Sequence, residues 1–314
     1  MNITEKILQS TSEVIKHAKH ITIDKNKLYN FCKLIKEQKN IKTDWLKQAP
    51  TKLNKLSEKE HIEFLWTFNM LSFSYWGNPS WRVTYKRKTE TRGSWSLLTA
   101  LQRSKDEGKN ITNPYIQQKI NVKGIEHTLR GDTKLPLMNK RKQILNEVGE
   151  HIVTNYKGQF INFIEEANYD GEKLLDKIVE ELTSFDDTAK YKGNQVYFYK
   201  RAQALVQSLQ KPFKNYKGLI NCENLTALAD YKIPTVLRDQ RILTYSKELS
   251  EQIEREEKLQ NRGQKVVEIR SGVIQIVREG AKELLIRNSE FNDYLWLISK
   301  NAKSKYHRDR TRDY

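Results

Sequence analysis

The chain is poor in cysteine: Cys32 and Cys222 are its only two among 314 residues. They form no CxxC pair and no metal-ligand spacing, so neither a disulfide framework nor a thiolate zinc site is expected. Cys32 falls on the apolar side of an expected helix, and two idle thiols suit a reducing compartment. Long apolar runs are missing too. None approaches the ~18 residues that crossing a bilayer requires, and residues 1–20 lack the apolar core and cleavage site of a signal peptide, so a soluble, cytoplasmic protein is expected. There is no GxxxxGK(S/T), no GxGxxG after a strand, no HExxH and no GxSxG. Triphosphate hydrolysis, dinucleotide redox chemistry, zincin chemistry and a nucleophile elbow lose their sequence support together. His17 and His20 stand at i, i+3 near a terminus, where an exposed basic helix face is the plainer reading, and no metal site is expected. No repeat of 20–50 residues and no Gly/Ser/Pro-rich linker interrupts the chain; its 13 Gly and 6 Pro are dispersed. One helical body over 1–314, or two closely packed helical subdomains with a cleft between them, fits that pattern.

What is present is enough for a large core. Hydrophobic residues make up 37% of the chain, with six Trp, ten Phe and fifteen Tyr, so the 30% of charged residues does not imply disorder. The net charge of +17 is unevenly spread: residues 1–110 hold 21 Lys/Arg against 11 Asp/Glu, whereas the segment from Lys300 holds 6 against 2. Such a balance suits an anionic partner or a solvated basic surface, and it supplies no single nucleic-acid arm.

Helical periodicity dominates, and the expected class is all-α with one or two minor β-hairpins. Leu28, Phe31, Leu34 and Ile35 share one face of an expected helix. Ser57 and Glu60 have capping-box spacing ahead of the apolar run 62–73, which reads as a buried helix. Further helices are expected over 95–106, 140–156, 172–182, 199–209, 225–230, 234–239, 246–260, 266–286 and 290–300. Short strands are expected over 81–86 and on both sides of Lys192–Asn194, where β-branched and aromatic residues border turn formers.

Three segments combine aromatic, basic and acidic residues more than packing requires. In the first, Phe73, Tyr75 and Trp76 end an apolar helix, and such faces either stack on a nucleobase or join the core. In the second, Lys200 and Arg201 open a helix whose first-turn N–H groups can help hold a phosphate; a surface basic pair is the other reading. In the third, Asp230 lies between apolar residues ahead of Pro234, either as a helix cap or as a buried carboxyl of raised pKa. Glu268 and Arg270 have the look of an ion pair at a helix entrance. Asp293, Tyr294 and Trp296 set a carboxylate beside two aromatics.

The order of these pieces resembles the queuosine salvage protein family. The pieces are LSFSYW (71–76), GSWSLLTALQRSKDEG (93–108), LRGDTKLPLMNKRKQILNEVG (129–149), YKGNQVYFYKRAQ (191–203), LADYKIPTVL (228–237), VEIRSG (267–272), DYLW (293–296) and HRDRTRDY (307–314). The resemblance covers the chain from about residue 70 onward and implies an all-α fold similar to the helix-hairpin-helix DNA glycosylases. It implies hydrolysis of queuosine 5′-monophosphate to queuine and ribose 5-phosphate, in queuine salvage for tRNA modification, with no cofactor and no metal. Bond breaking builds positive charge on the ribose, so a carboxylate beside C1′ is required, and Asp230 and Asp293 are the candidates. Substrate contacts are expected from Phe73, Trp76, Lys200, Arg201, Leu228, Tyr231, Arg270, Asn292 and Tyr294, with Lys200 on the 5′-phosphate. Two departures stand out: Asn292 occupies a position where the family pattern has an acid, and Leu228 one where it has an aromatic. They motivate a catalytically weak or inactive nucleotide-binding homologue as the alternative, with a glycosylase-like tRNA- or DNA-binding protein behind it. The first 65 residues carry no match, and any site residue near 44–50 is unassigned.

Overall fold

In the computed structural model, residues 1–38, 49, 53–77, 79–86, 88–90 and 93–314 are described, and their regular structure is fourteen α-helices with three two-stranded antiparallel sheets. Helix α3 (Glu58–Leu71) is one hub. It begins at the expected capping box, where the Ser57 amide donates to Glu60 Oε2 at 2.8 Å and the Glu60 amide returns to Ser57 Oγ at 3.3 Å. Every residue from His61 to Leu71 is buried, as a helix apolar on all sides must be. Around it pack α4 (Gly93–Asp106), α7 (Met138–Asn155), α8 (Phe160–Glu166) and α10 (Lys200–Leu209).

The second hub is α13 (Gln264–Leu284), against which α1 (Ile3–Lys16), α2 (Lys25–Glu37) and α14 (Asn288–Ile298) are laid. The approach of α14 depends on Gly280. A Cβ at that position would stand 2.3 Å from the Phe291 ring, so any side chain would lift α14, and Asp293 with it, away from α13. Helices α5 (Pro114–Gln117), α6 (Val122–Thr128), α9 (Gly171–Glu181), α11 (Ile233–Asp239) and α12 (Lys247–Glu254) complete the set. None of the described helices is long and apolar enough to cross a membrane.

Both expected hairpins are present, as β2 (Val83–Tyr85) with β3 (Lys88–Glu90) and β4 (Thr188–Tyr191) with β5 (Asn194–Tyr197). The second turns through Lys192 and Gly193, whose φ angles of 48° and 86° give the two left-handed residues that a tight hairpin favours. A third pair, β1 (Ile21–Ile23) with β6 (Leu243–Tyr245), was not expected: Ile21 faces Tyr245 across a long stretch of sequence.

Two local expectations are corrected. On α2 the inward face is Leu28, Phe31, Cys32 and Ile35, whereas Leu34 is 57% exposed. At 3.6 residues per turn Leu34 lies roughly 120° from Leu28 and Cys32 only about 40°. Residues 225–230 form no helix. Their backbone donors are taken by side chains instead, the Thr226 amide by Gln203 Oε1 at 2.7 Å and the Leu228 amide by Asn292 Oδ1 at 2.8 Å. That segment therefore runs extended between α10 and α14, and it carries Asp230 at its end.

Candidate active site

A cavity of about 810 Å³ lies where the end of α3, the first turn of α4, α10, the 228–232 segment and α14 converge. This is the size of sites that enclose a ligand of nucleotide dimensions. One wall is made by the chain leaving α3. Ser74 adopts a left-handed backbone (φ 42°) and is held there by the terminal segment. Its amide donates to the Tyr314 carbonyl at 2.9 Å, and its hydroxyl exchanges hydrogen bonds with the Thr311 backbone at 2.6 and 3.2 Å. The twist sends Phe73 inward and brings Tyr75 and Trp76 to the cavity. Trp76 is fixed in turn by its indole N–H, which donates to the Asp309 carbonyl at 3.2 Å, and the Arg310 guanidinium lies 4.1 Å from its ring.

The charged centre is built by α10 and the segment before α11. Asp230 Oδ1 accepts the amides of Lys232 (2.7 Å) and Ile233 (3.2 Å), closing the turn that leads into α11, while its side chain lines the cavity. The turn-closing acceptor and the cavity carboxylate are thus one residue. Lys200, half-buried, lines the same cavity; burial lowers its amine below the ordinary value, and the Asp230 carboxylate opposes that shift. Both residues are held from behind by one buried ion pair. Arg270 donates to both carboxylate oxygens of Asp187 at 2.7 Å, and its Nε donates to the Ala229 carbonyl at 3.0 Å, one residue before Asp230. Asp187 in turn accepts the Lys200 amide at 3.0 Å. Burial works against the Arg270 charge, but the attraction and hydrogen bonds of Asp187 outweigh it and hold the guanidinium above its usual range.

The terminal segment closes this side. Tyr314 lines the cavity, its ring 4.4 Å from the Arg270 guanidinium, and its hydroxyl donates to Asp309 Oδ1 at 2.7 Å. His307 Nε2 lies 3.1 Å from the same hydroxyl. Because the phenol proton goes to Asp309, Nε2 is the donor toward that hydroxyl. Burial, aided by Arg270 and Arg238, pushes the His307 pKa down to about 3, while burial pushes Asp309 up to about 6.

The opposite wall is α14. Asn292 Oδ1 accepts the Leu228 amide, and Asp293 Oδ1 accepts Gln207 Nε2 at 2.9 Å and Asn292 Nδ2 at 3.4 Å. Trp296, Trp95 and Tyr306 add aromatic surface, with the Lys300 ammonium 3.3 Å from the Trp95 ring centroid and the Lys232 ammonium 4.7 Å from that of Tyr306. Burial raises the Tyr231 phenol well above its ordinary value, so it remains a neutral donor.

Of the residues singled out from sequence, the structure brings Asp230, Asp293, Trp76, Lys200, Leu228, Tyr231 and Asn292 to one cavity. Four lie outside its wall. Phe73 is buried beneath the Arg141 guanidinium, 4.0 Å away. Arg201, one residue and about 100° round α10 from Lys200, turns into the core and donates to the carbonyls of Met70 and Ser184. Arg270 is the clamp behind the wall, and it does not pair with Glu268, whose carboxylate accepts the amides of Lys19 and His20 instead. Tyr294 points from α14 toward Gln38, 3.5 Å away. The first-turn N–H of Lys200 is likewise engaged, by Asp187. Residues 44–48 and 50 are outside the described residues. No group of His, Cys, Asp and Glu suited to a metal occurs among the described residues.

Several lining residues went unnamed in the sequence reading. Gln207 and Ala204 lie on the Lys200 face of α10, and Phe68 and Asn69 on α3 with Ser72 just past its end, so helical spacing from a known member would have found them. Tyr306 and Tyr314 carry no local signal, since only the docking of the terminal segment brings them in.

Comparison with known proteins bears on this geometry. The sequence model of a family described as queuosine salvage protein matches residues 52–312. A protein of Sphaerobacter thermophilus named queuosine 5′-phosphate N-glycosylase/hydrolase is 28% identical over 97% of this chain and 96% of its own length. Proteins of the same name from Mus musculus and Bos taurus are 32% and 31% identical over 74% of this chain, and over 74% and 71% of their own lengths.

Proposed function

The chain belongs to the queuosine salvage protein family, and from that premise we propose that it is an N-glycosidase that hydrolyses queuosine 5′-monophosphate to queuine and ribose 5-phosphate. The observation that carries this reading is the placement of the Asp230 carboxylate and the Lys200 ammonium on the wall of an aromatic-lined cavity of nucleotide size. We assign the activity to the cytoplasm, where two unpaired, buried thiols meet no oxidant.

Asp230 carries out the chemical step. As the C1′–N bond lengthens, its electron pair moves to the base and oxocarbenium character builds on the ribose. A carboxylate fixed by two backbone amides stabilises that charge without having to reorganise. Water adds at C1′, with Asp230 accepting its proton; the proton ends on the base nitrogen, giving ribose 5-phosphate and neutral queuine. Queuine has carbon where a purine has N7, so the usual protonation at that atom is not open to it. Departure depends more heavily on charge stabilisation at the sugar and on hydrogen bonds elsewhere on the base. The rings of Trp76, Trp95 and Trp296 offer stacking surface for its plane.

Lys200 receives the 5′-phosphate, whose charge restores the ammonium that burial disfavours. Purified protein is expected to release free queuine from queuosine 5′-monophosphate and to prefer it to the nucleoside. Lys200→Met lowers kcat/KM for the nucleotide by about 10–100-fold, the worth of one charged hydrogen bond, and leaves that for the nucleoside nearly unchanged. Steady-state assays on both substrates check this; an equal loss on both would remove the phosphate from Lys200. Absence of queuine release by the unmodified protein would remove the hydrolase reading itself.

A further inference from the structure

Gln207 stands two turns along α10 from Lys200, on the same side of the helix and on the cavity wall. Its amide group has only one sensible orientation. Asp293 is 2.9 Å away and a carboxylate can only accept, so the NH₂ end must face it. The carbonyl end, Oε1, is then left covered, with no hydrogen-bond partner among the described residues. A carbonyl oxygen left buried and unpaired weakens a fold, and such groups in a folded protein ask for a reason. The Asn292 amide is set by the same logic: its oxygen accepts the Leu228 amide, which turns its NH₂ toward Asp293 at 3.4 Å. Two oriented amides thus hold the Asp293 carboxylate in place, and one of them keeps a spare acceptor beside it.

We propose that the Gln207 side chain turns its covered Oε1 to an entering base, that Oε1 and the Asp293 carboxylate then form the edge that reads it, and that Gln207 is a specificity-determining residue. Adjacent acceptors match adjacent donors. The pyrimidine side of a 2-amino-6-oxo base such as queuine offers a ring N–H next to an exocyclic NH₂; a 6-oxo base without the 2-amino group offers only the first, and a 6-amino base presents a ring acceptor there. An acceptor pair therefore favours the 2-amino-6-oxo class and penalises the others by leaving buried oxygens unpaired or opposed. This rests on the hydrolase reading above and divides the labour between the two acids: Asp293 holds the base, and Asp230 alone serves C1′. It also gives Asn292 a task that suits an amide, since it positions Asp293 and bonds the Leu228 backbone.

Two measurements test it. Calorimetry of the unmodified protein with free 7-deazaguanine and free 7-deazahypoxanthine, which differ only in the 2-amino group, is expected to show at least about tenfold tighter binding of the former, one hydrogen bond's worth. In Gln207→Met, of similar size but without the amide, that ratio falls toward one, and KM for queuosine 5′-monophosphate rises much more than kcat falls. Equal affinity for the two bases in the unmodified protein, or an undiminished ratio in Gln207→Met, overturns the assignment. The comparison of bases on the unmodified protein needs no variant to fold. Turnover with unselective base binding defeats this inference alone, whereas selective base binding without turnover defeats the hydrolase reading and keeps the edge.

Discussion

Asp230→Asn is expected to release queuine from queuosine 5′-monophosphate about 10²–10³-fold more slowly at saturating substrate, the range that follows removal of one preorganised electrostatic partner of a transition state. The substitution is a clean one. Asparagine accepts backbone amides two and three residues on as aspartate does, so Oδ1 can keep those of Lys232 and Ile233 while the negative charge is lost. Thermal stability should therefore change little as kcat collapses. Asp293→Asn differs in kind: it disturbs the acceptor beside Gln207 and acts first on KM, so the two variants separate in a plot of kcat against KM. Steady-state queuine release by both variants decides the matter, and a kcat for Asp230→Asn within a few-fold of the unmodified protein would end the role assigned to this carboxylate.

Arg270→Met should be the most destabilising single change near the site. It strands the Asp187 carboxylate, which is 3% exposed, and frees the Ala229 carbonyl. Breaking a buried pair from one side costs about 3–5 kcal/mol because the remaining charge has no compensation, which corresponds to a fall in Tm on the order of 10 °C. The double variant Asp187→Asn/Arg270→Met is expected to recover part of that loss, since the stranded charge is gone. Thermal unfolding of the two single variants and the double variant forms the cycle that measures the coupling. Losses that simply add would mean that the pair is not the clamp described above. The pair supports both functional groups from behind, so Arg270→Met should also lower activity in whatever fraction remains folded.

The helices were readable from sequence wherever an apolar face and a cap coincided. Ser57 and Glu60 announced the start of α3, and Lys192 with Gly193 announced a hairpin, because each is a contract between neighbours in sequence. Leu34 differs through local spacing on α2, and the other departures lie where distant partners decide. Residues 225–230 have helical composition, yet Gln203 and Asn292 capture their amides and draw the chain straight. The strand pairing of Ile21–Ile23 with Leu243–Tyr245 has no local mark on either side. Residue type alone does not separate the side chains that reach the cavity, Asp230 and Lys200 among them, from those that turn into the core. Arg201 carries the same charge as Lys200, and a single step round the helix sends it to the Met70 carbonyl. Phe73 and Trp76 are both aromatic, and the backbone turn at Ser74 puts one in the core and the other on the cavity.

Three of the six tryptophans, Trp76, Trp95 and Trp296, border the cavity, and they come from three separate parts of the chain. The protein therefore carries its own optical probe. A planar base sliding among these indoles replaces water around half of the molecule's tryptophans, so emission under ultraviolet excitation should dim or shift as queuine is titrated in. Occupancy can then be followed without any label, in the same cuvette as turnover.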